Sequence, residues 1–376
     1  MILFLFLATA AAQSIQLQNS HTIENLRGVS AVSRQVAWAG GTHGTYLRTI
    51  DAGHTWIPAQ VPDATSLDFR GVVAFSADEA FLMSSGPAGL SRIYHTLDAG
   101  HHWQLQFTNT NTKGFFDSMA FWNPRHGVVL GDPIADENGK LKFEVLLTDD
   151  GGEHWRAIPS AQLPEALSGE GAFAASNSCI AILPPRPWKS GASAPRQPRE
   201  NGAFAPDTLD PNLWFATGGA AARVFHSSDR GQSWEVSDSP LLHGLESAGI
   251  FSIVFRNDRE GVIAGGDYKR PTFDGPNLAF THDGGKTWEV ANVHPQAYFS
   301  AVAYVQLKGD KSRTNPDSTQ RVFIVGPGFI YDFQPPGKTR RLDAKAARSA
   351  TFNAASPFPE GGALLVGAKG TIAAIR

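Results

Sequence analysis

Thr281-His-Asp283-Gly-Gly285-Lys-Thr-Trp288 is one of five copies of a single pattern, a hydroxyl residue followed at fixed offsets by Asp, Gly and Trp. The others are Thr49-Ile-Asp51-Ala-Gly53-His-Thr-Trp56, Thr96-Leu-Asp98-Ala-Gly100-His-His-Trp103, Thr148-Asp-Asp150-Gly-Gly152-Glu-His-Trp155 and Ser227-Ser-Asp229-Arg-Gly231-Gln-Ser-Trp234. A unit recurring about every 50 residues marks a propeller or a solenoid.

Each residue of this Asp box has a task in a tight turn. The carboxylate accepts from backbone amides two or three residues on, the Gly supplies a positive φ, and the hydroxyl bonds into the same turn. The Trp buries its ring between neighbouring units, with its N–H free to find an acceptor. A calcium role would need about six to eight oxygens around the ion, and even Asp149 beside Asp150 falls short of that density.

Outward from the boxes, two apolar runs precede each one and persist where the box is lost. First runs are Leu26–Val32, Phe69–Phe75, Phe115–Phe121, Gly169–Ala175, Gly249–Phe255 and Tyr298–Tyr304, with Thr351–Ala355 a worn seventh. Second runs are Val36–Gly41, Ala80–Ser85, Gly127–Gly131, Leu213–Gly219, Gly261–Gly266, Val322–Gly326 and Ala363–Gly367. Short apolar runs between Gly-rich turns read as buried strands. Seven units therefore stand behind five boxes.

The seventh unit stops at Arg376 after its third strand, and Ser14-Ile-Gln-Leu-Gln18 has the alternation to supply the fourth. Pairing the two ends in one blade closes the ring and hides an edge. The expected fold is all-β: a seven-bladed β-propeller of four-stranded antiparallel blades, ring closed by N- and C-terminal strands. A single propeller spans residues 13–376, with loop insertions at Pro184–Pro211, which is Pro-rich, and Lys308–Gln320, which is polar.

Composition agrees, since 38 Gly and 24 Pro suit a turn-rich all-β chain. A net charge of −3 argues against nucleic acid or an anionic membrane surface as partner. Met1–Ala12 reads as a signal peptide, an apolar segment ending in small residues and too short to span a bilayer. Cys179 is the one cysteine, so no internal disulfide forms, and its apolar run makes it an inert core residue.

Boxes, Arg-Gly-Val first strands and Gly-ending second strands together resemble the photosystem II stability and assembly factor-like propeller family, over nearly the whole mature chain. That resemblance implies a seven-bladed propeller outside the cytoplasm, a non-enzymatic scaffold holding a partner polypeptide. The arginine-bearing face of the family would map to Arg27 and Arg70. Later units carry Phe116, Glu170, Ile250, Phe299 and Ala350 at that place. Sialidases share the box and are the enzymatic comparison, but their boxes lie away from the catalytic site, and fold does not carry function.

Strand topology places a site more sharply. The start of each first strand and the end of each second strand share one face of the disc, and the boxes lie on the other. Arg27, Arg70, Asp117 and Glu170 fall at first-strand starts, Asp132 and Asp267 just after second strands. Pro133–Lys142 and Tyr268–Asn277 would overhang the same mouth. Ligand sites in closed β-folds often sit at mouths lined by convergent polar groups, and four carboxylates around one axis call for a cation or basic ligand. His43, His126 and His226 follow no metal spacing, and no nucleophile elbow, phosphate loop or dinucleotide fingerprint occurs, so neither metal nor cofactor is expected.

The expected function is an exported, periplasmic or extracellular, monomeric and non-catalytic scaffold without a stable membrane anchor, binding a protein or peptide. The alternative is a sialidase-like glycoside hydrolase or lyase acting on a glycan, with Asp117, Asp132, Glu170 and Asp267 as acid and base. Two mouth carboxylates about 5 to 10 Å apart, one with a raised pKa, would favour that alternative.

Overall fold

Short apolar strands separated by glycine turns pair into seven antiparallel sheets in the computed structural model, which describes residues 14–183, 209–291, 297–305, 321–334, 338–342 and 350–376. In each sheet consecutive strands are neighbours, as in blade one, where Leu26–Ala31, Ala37–Gly41, Thr45–Thr49 and Ile57–Gln60 pair in chain order. Six sheets have four strands, and blade five gains two short extra ones, Gly218–Gly219 and Glu170–Gly171, on its inner side. The ring closes as the alternation of the N-terminal strand implies: Ile15–Gln18 pairs antiparallel with Ile372–Ile375 as the outer strand of blade seven. The signal peptide at 1–12 and the loop insertion at 308–320 lie outside the described residues, as does most of the insertion at 184–211.

Among the described residues, the buried apolar side chains form seven clusters, each shared by two adjacent blades. Trp38 of blade one packs with Phe69 and Tyr94 of blade two, and Trp214 of blade four with Ile250 and Phe255 of blade five. A blade is therefore half of two cores and holds none of its own.

The innermost strands are also tied by side chains that reach the next blade. Ser356 Oγ accepts from Ala31 N (3.0 Å), Ser30 Oγ from Ala74 N (3.0 Å) and Ser252 Oγ from Val302 N (2.9 Å). Ser300 Oγ donates to Phe352 O (2.8 Å) and Asn353 Nδ2 to Leu26 O (2.8 Å). Buried backbone groups at the channel wall, beyond reach of their own sheet, find partners this way.

The five box turns share one geometry. The hydroxyl donates to the Asp carboxylate, as from Thr281 Oγ1 to Asp283 Oδ1 (2.8 Å), and accepts the Gly amide, as from Gly285 N (3.0 Å). The carboxylate takes the amide four residues on, Thr287 N in this copy (3.0 Å), together with the Lys286 amide three residues on (3.0 Å) that the sequence reading allows. The box glycines lie at φ 77° to 93°, in the left-handed region. Each turn leans on the preceding blade: Tyr46 Oη donates to Gly100 O (2.9 Å), and Trp214 Nε1 to Gly284 O (2.8 Å). Trp56 and Trp288 are buried, whereas Trp103, Trp155 and Trp234 are partly so.

One strand differs from the sequence reading. The inner strand of blade four is Ile180–Ile182, paired with Leu213–Ala216, rather than Gly169–Ala175. The earlier run makes only a two-residue pairing, Glu170–Gly171 with Gly218–Gly219, and then leaves the sheet. Its small residues resemble a first strand in composition. Ile180 and Ala181 instead pair with Phe215 and Trp214, within the aromatic cores flanking that strand.

Candidate functional site

Strand register decides which side chains meet at the mouth. Leu26 pairs with Gly41 at one end of blade one, while Ala37 pairs with Thr49, before the box, at the other. The two faces of the disc are therefore chemically distinct. At the boxless face the inner strands skip one residue against their partners, at Arg27, Arg70, Asp117, Phe251 and Asn353. Such a bulge inserts one unpaired residue and re-aims its side chain. Ser300, just before the Ala301 and Val325 pair, holds the same place in blade six.

These bulges correct the alignment read from sequence. Asp117, Phe251, Ser300 and Asn353 are the equivalents of Arg27 and Arg70, one or more residues on from Phe116, Ile250, Phe299 and Ala350. Glu170 is not equivalent at all, since it precedes the inner strand of blade four by ten residues.

Between Glu170 and that strand the chain crosses the mouth. Ala172 N donates to Asp132 Oδ1 (3.0 Å), and Ala174 N to the Asp117 carboxylate, both in blade three. Ala174 O accepts from Arg70 Nη1 of blade two (3.2 Å). Phe173 lies on the other side, stacked on Phe251 of blade five with centroids 3.9 Å apart and planes 11° from parallel. Asn177, in the left-handed region at φ 59°, then clamps Met119 through both its amide atoms (2.7 and 3.0 Å).

The six residues read from sequence divide into two groups. Arg27, Arg70, Asp117 and Asp132 act on one another electrostatically. Burial, then Asp132, raises the Asp117 carboxyl well above its ordinary range, against the opposing pull of Arg70. Burial raises Asp132 too. Burial, and next the Arg70 charge, pull the Arg27 guanidinium down. Asp117 Oδ2 and Arg27 Nε are buried without a hydrogen-bond partner among the described residues. Arg70 is held by Asp68, Nε to Oδ2 at 2.8 Å.

Glu170 and Asp267 stand apart, each neutralised locally. Both Glu170 oxygens bond the Arg223 guanidinium, and Oε1 also accepts from Thr217 Oγ1 (2.6 Å). Asp267 Oδ2 accepts from Arg270 Nε (2.6 Å), and its carboxyl stays below the ordinary range despite burial, held down by Arg270, Ser247 and the Lys269 amide. Asp117 and Asp132 act on each other, whereas Glu170 and Asp267 are each paired with an arginine.

Sequence reasoning missed the aromatic half of the mouth. Phe251 meets Tyr298 edge-on at 4.7 Å, and the Tyr298 phenol, pushed up by burial, lies in the field of Arg27. Had the bulge been known, Phe251 would have stood out as an aromatic where blades one to three carry charge. Cys179 is buried below, its thiol pushed up by burial and by Asp117. Among the described residues one trio has metal-ligand proximity, Asp150, Glu153 and His154 on the exposed turn of box three, away from the mouth.

The raised Asp117 carboxyl has a measurable consequence. A raised native pKa favours folding below the unfolded carboxyl value, near pH 4, and that benefit is lost as pH rises through the native value. Asp117→Asn keeps an acceptor for Ala174 N without the charge. Its melting temperature should match wild type near pH 4 and exceed it by a few degrees at pH 8, and a constant difference across that range would contradict the assignment.

No protein-family model matches the chain. Photosystem II assembly lipoprotein Ycf48 of Synechococcus sp. (strain CC9902) is 24% identical over 298 residues, 77% of this chain and 81% of that one. The chloroplast photosystem II stability/assembly factor of Arabidopsis thaliana is 25% identical over 279 residues, 66% of this chain and 62% of that one. A solved structure of YCF48 bound to D1 peptide covers 98% of this chain and 97% of its own, with a TM-score of 0.61 at 15% identity. In sequence and in fold the chain is similar to photosystem II assembly factor-like seven-bladed propellers. A streptogramin B lyase structure also superposes, with a TM-score of 0.58 at 11% identity over 97% of each chain, so the fold alone hosts catalysis as readily as binding.

Proposed function

We propose that this chain is an exported, non-catalytic propeller scaffold that holds a protein or peptide partner at the mouth opposite its Asp boxes. The observation that carries the reading is the convergence of Arg27, Arg70, Asp117 and Asp132 from three blades, with one buried polar atom each on Arg27 and Asp117 left unpartnered. Unsatisfied buried polar groups are costly, and a ligand recovers that cost only where the chain covering them gives way. Kinship with Ycf48, solved with a bound D1 peptide, supports a polypeptide as the ligand class. Here two arginines face two carboxyls, which suits a partner segment carrying both signs of charge. No helix among the described residues is long and apolar enough to cross a membrane.

Three of the four carboxyls that a glycan hydrolase would draw on are otherwise engaged, and the fourth, Asp132, is raised by burial and accepts from Ala172 N. Glu170 and Asp267 are ion-paired, and Asp117 is 1% exposed beneath Ala174. A general acid has to reach the glycosidic oxygen.

Affinity capture from the exported fraction tests the scaffold reading. Wild type and Lys286→Glu, altered on the box face, should retain the same partner, and Arg27→Gln/Arg70→Gln should lose it while still unfolding cooperatively. Retention by the mouth variant would refute the site.

A further inference from the structure

We propose that the mouth contains a slot for an extended peptide bearing an aromatic side chain, now filled by Gly171–Ala175 of the chain itself and vacated when a partner segment takes its place. This rests on the mouth being the binding face and names the ligand chemistry there.

The resident segment is recognised as a peptide, with one side chain read. Its polar contacts with blades two and three use main-chain atoms: Ala172 N to Asp132, Ala174 N to Asp117, and Ala174 O to Arg70. Any extended chain carries the same donors and acceptor, which is the logic of strand-addition recognition. Phe173 is the single large side chain in the stretch.

The space around Phe173 is built for a ring. A β-carbon on Gly218 would come within 2.2 Å of Phe173 Cε2, and one on Gly249 within 2.9 Å. Phe251 forms the floor, with Tyr298 at 4.7 Å and Tyr268 at 6.1 Å meeting its edges. Gly218 from one strand, Gly249 and Phe251 from another, and Tyr268 and Tyr298 from loops thus shape one aromatic pocket.

The segment can leave without dismantling a blade. Its ladder is two residues long, whereas the inner strand of blade four begins at Ile180 and is anchored ahead of that point by the Asn177 clamp on Met119. Gly169 and Asn177, at φ 78° and 59°, bound the stretch as turning points. Departure would uncover the Asp117 carboxyl, Asp132, Arg70 and the slot together.

The test uses a synthetic peptide of residues 169–177 and a counterpart with alanine in place of phenylalanine, titrated calorimetrically into the full chain carrying Phe173→Ala. An empty slot should bind the phenylalanine peptide about tenfold or more tightly than the alanine peptide, the worth of burying one aromatic ring. Wild type should bind either peptide at least about tenfold more weakly, because its own Phe173 competes. Adding Phe251→Ala should abolish the discrimination. Equal binding of both peptides, or equal binding by wild type and Phe173→Ala, would overturn the slot. Phe173→Ser serves as the emptied variant if Phe173→Ala melts below the working temperature. A partner captured at the mouth while neither peptide discriminates would refute the slot alone, and peptide discrimination without any captured partner would refute the scaffold reading alone.

Discussion

Trp214→Ala should destabilise the protein by about 3 to 5 kcal/mol, the range for deleting a buried aromatic side chain. Trp214 is fully buried, 3.9 Å from Phe255 in a stacked arrangement and 4.7 Å from His226. Its indole N–H donates 2.8 Å to Gly284 O, inside box five of the next blade. One residue therefore joins a shared core to the box turn leaning on it. Removing it leaves a cavity between two blades that have no separate cores into which to collapse, together with an unpaired buried carbonyl. Trp38 also bridges to the next blade, with Nε1 on Ser76 O at 3.0 Å, in the turn after Phe69–Ala74 rather than in a box. Trp155→Ala is the control: that ring is partly exposed and its Nε1 has no partner among the described residues, so its loss should cost clearly less. Equilibrium unfolding in urea measures both. A Trp214→Ala midpoint indistinguishable from that of Trp155→Ala would refute the bridging role.

Deleting residues 14–18 should have an effect of similar size and a different signature. Ile15–Gln18 pairs residue for residue with Ile372–Ile375, and Ser14 N donates to Arg376 O (3.1 Å). Gln18 also reaches into box one, accepting from Trp56 Nε1 (2.9 Å) and donating to Ala52 O (3.0 Å). Its loss removes a strand from blade seven and a tether from blade one, at a cost on the order of 3 kcal/mol for the hydrogen bonds alone. It also bares the edge of Ile372–Ile375, and bare edges recruit other strands. The truncated chain should melt earlier and broaden or self-associate on size exclusion. A peptide of residues 13–19 added in excess should restore the elution. An unchanged melt and unchanged elution would refute the closure.

How far the sequence reveals this molecule depends on the range of each interaction. Box turns are local: the Thr281 hydroxyl, the Asp283 carboxylate and the Gly285 amide lie within five residues, so their spacing shows the turn and its repetition shows the ring. The closing strand was legible as well, because a blade missing its fourth strand and a spare alternating strand imply one another. The frame of the inner strands was not. A bulge adds a residue without changing composition, so Phe116 looked like the partner of Arg70 until pairing showed it to be Asp117.

The mouth shows the same division at longer range. Counting strands along the sequence puts Arg27, Arg70, Asp117, Asp132 and Asp267 at strand ends on one face, but it sets Glu170 on an inner strand of blade four that in fact begins ten residues later. Tertiary structure alone decided their fates. Arg223 lies 53 residues from Glu170 and reaches it only because the ring brings them together, while Ala174 meets an arginine 104 residues away. Whether a buried carboxyl is neutralised, as Glu170 is, or left raised, as Asp117 is, depends on a charge within a few ångströms. Those distances exist only once the ring has closed, and no local pattern records them.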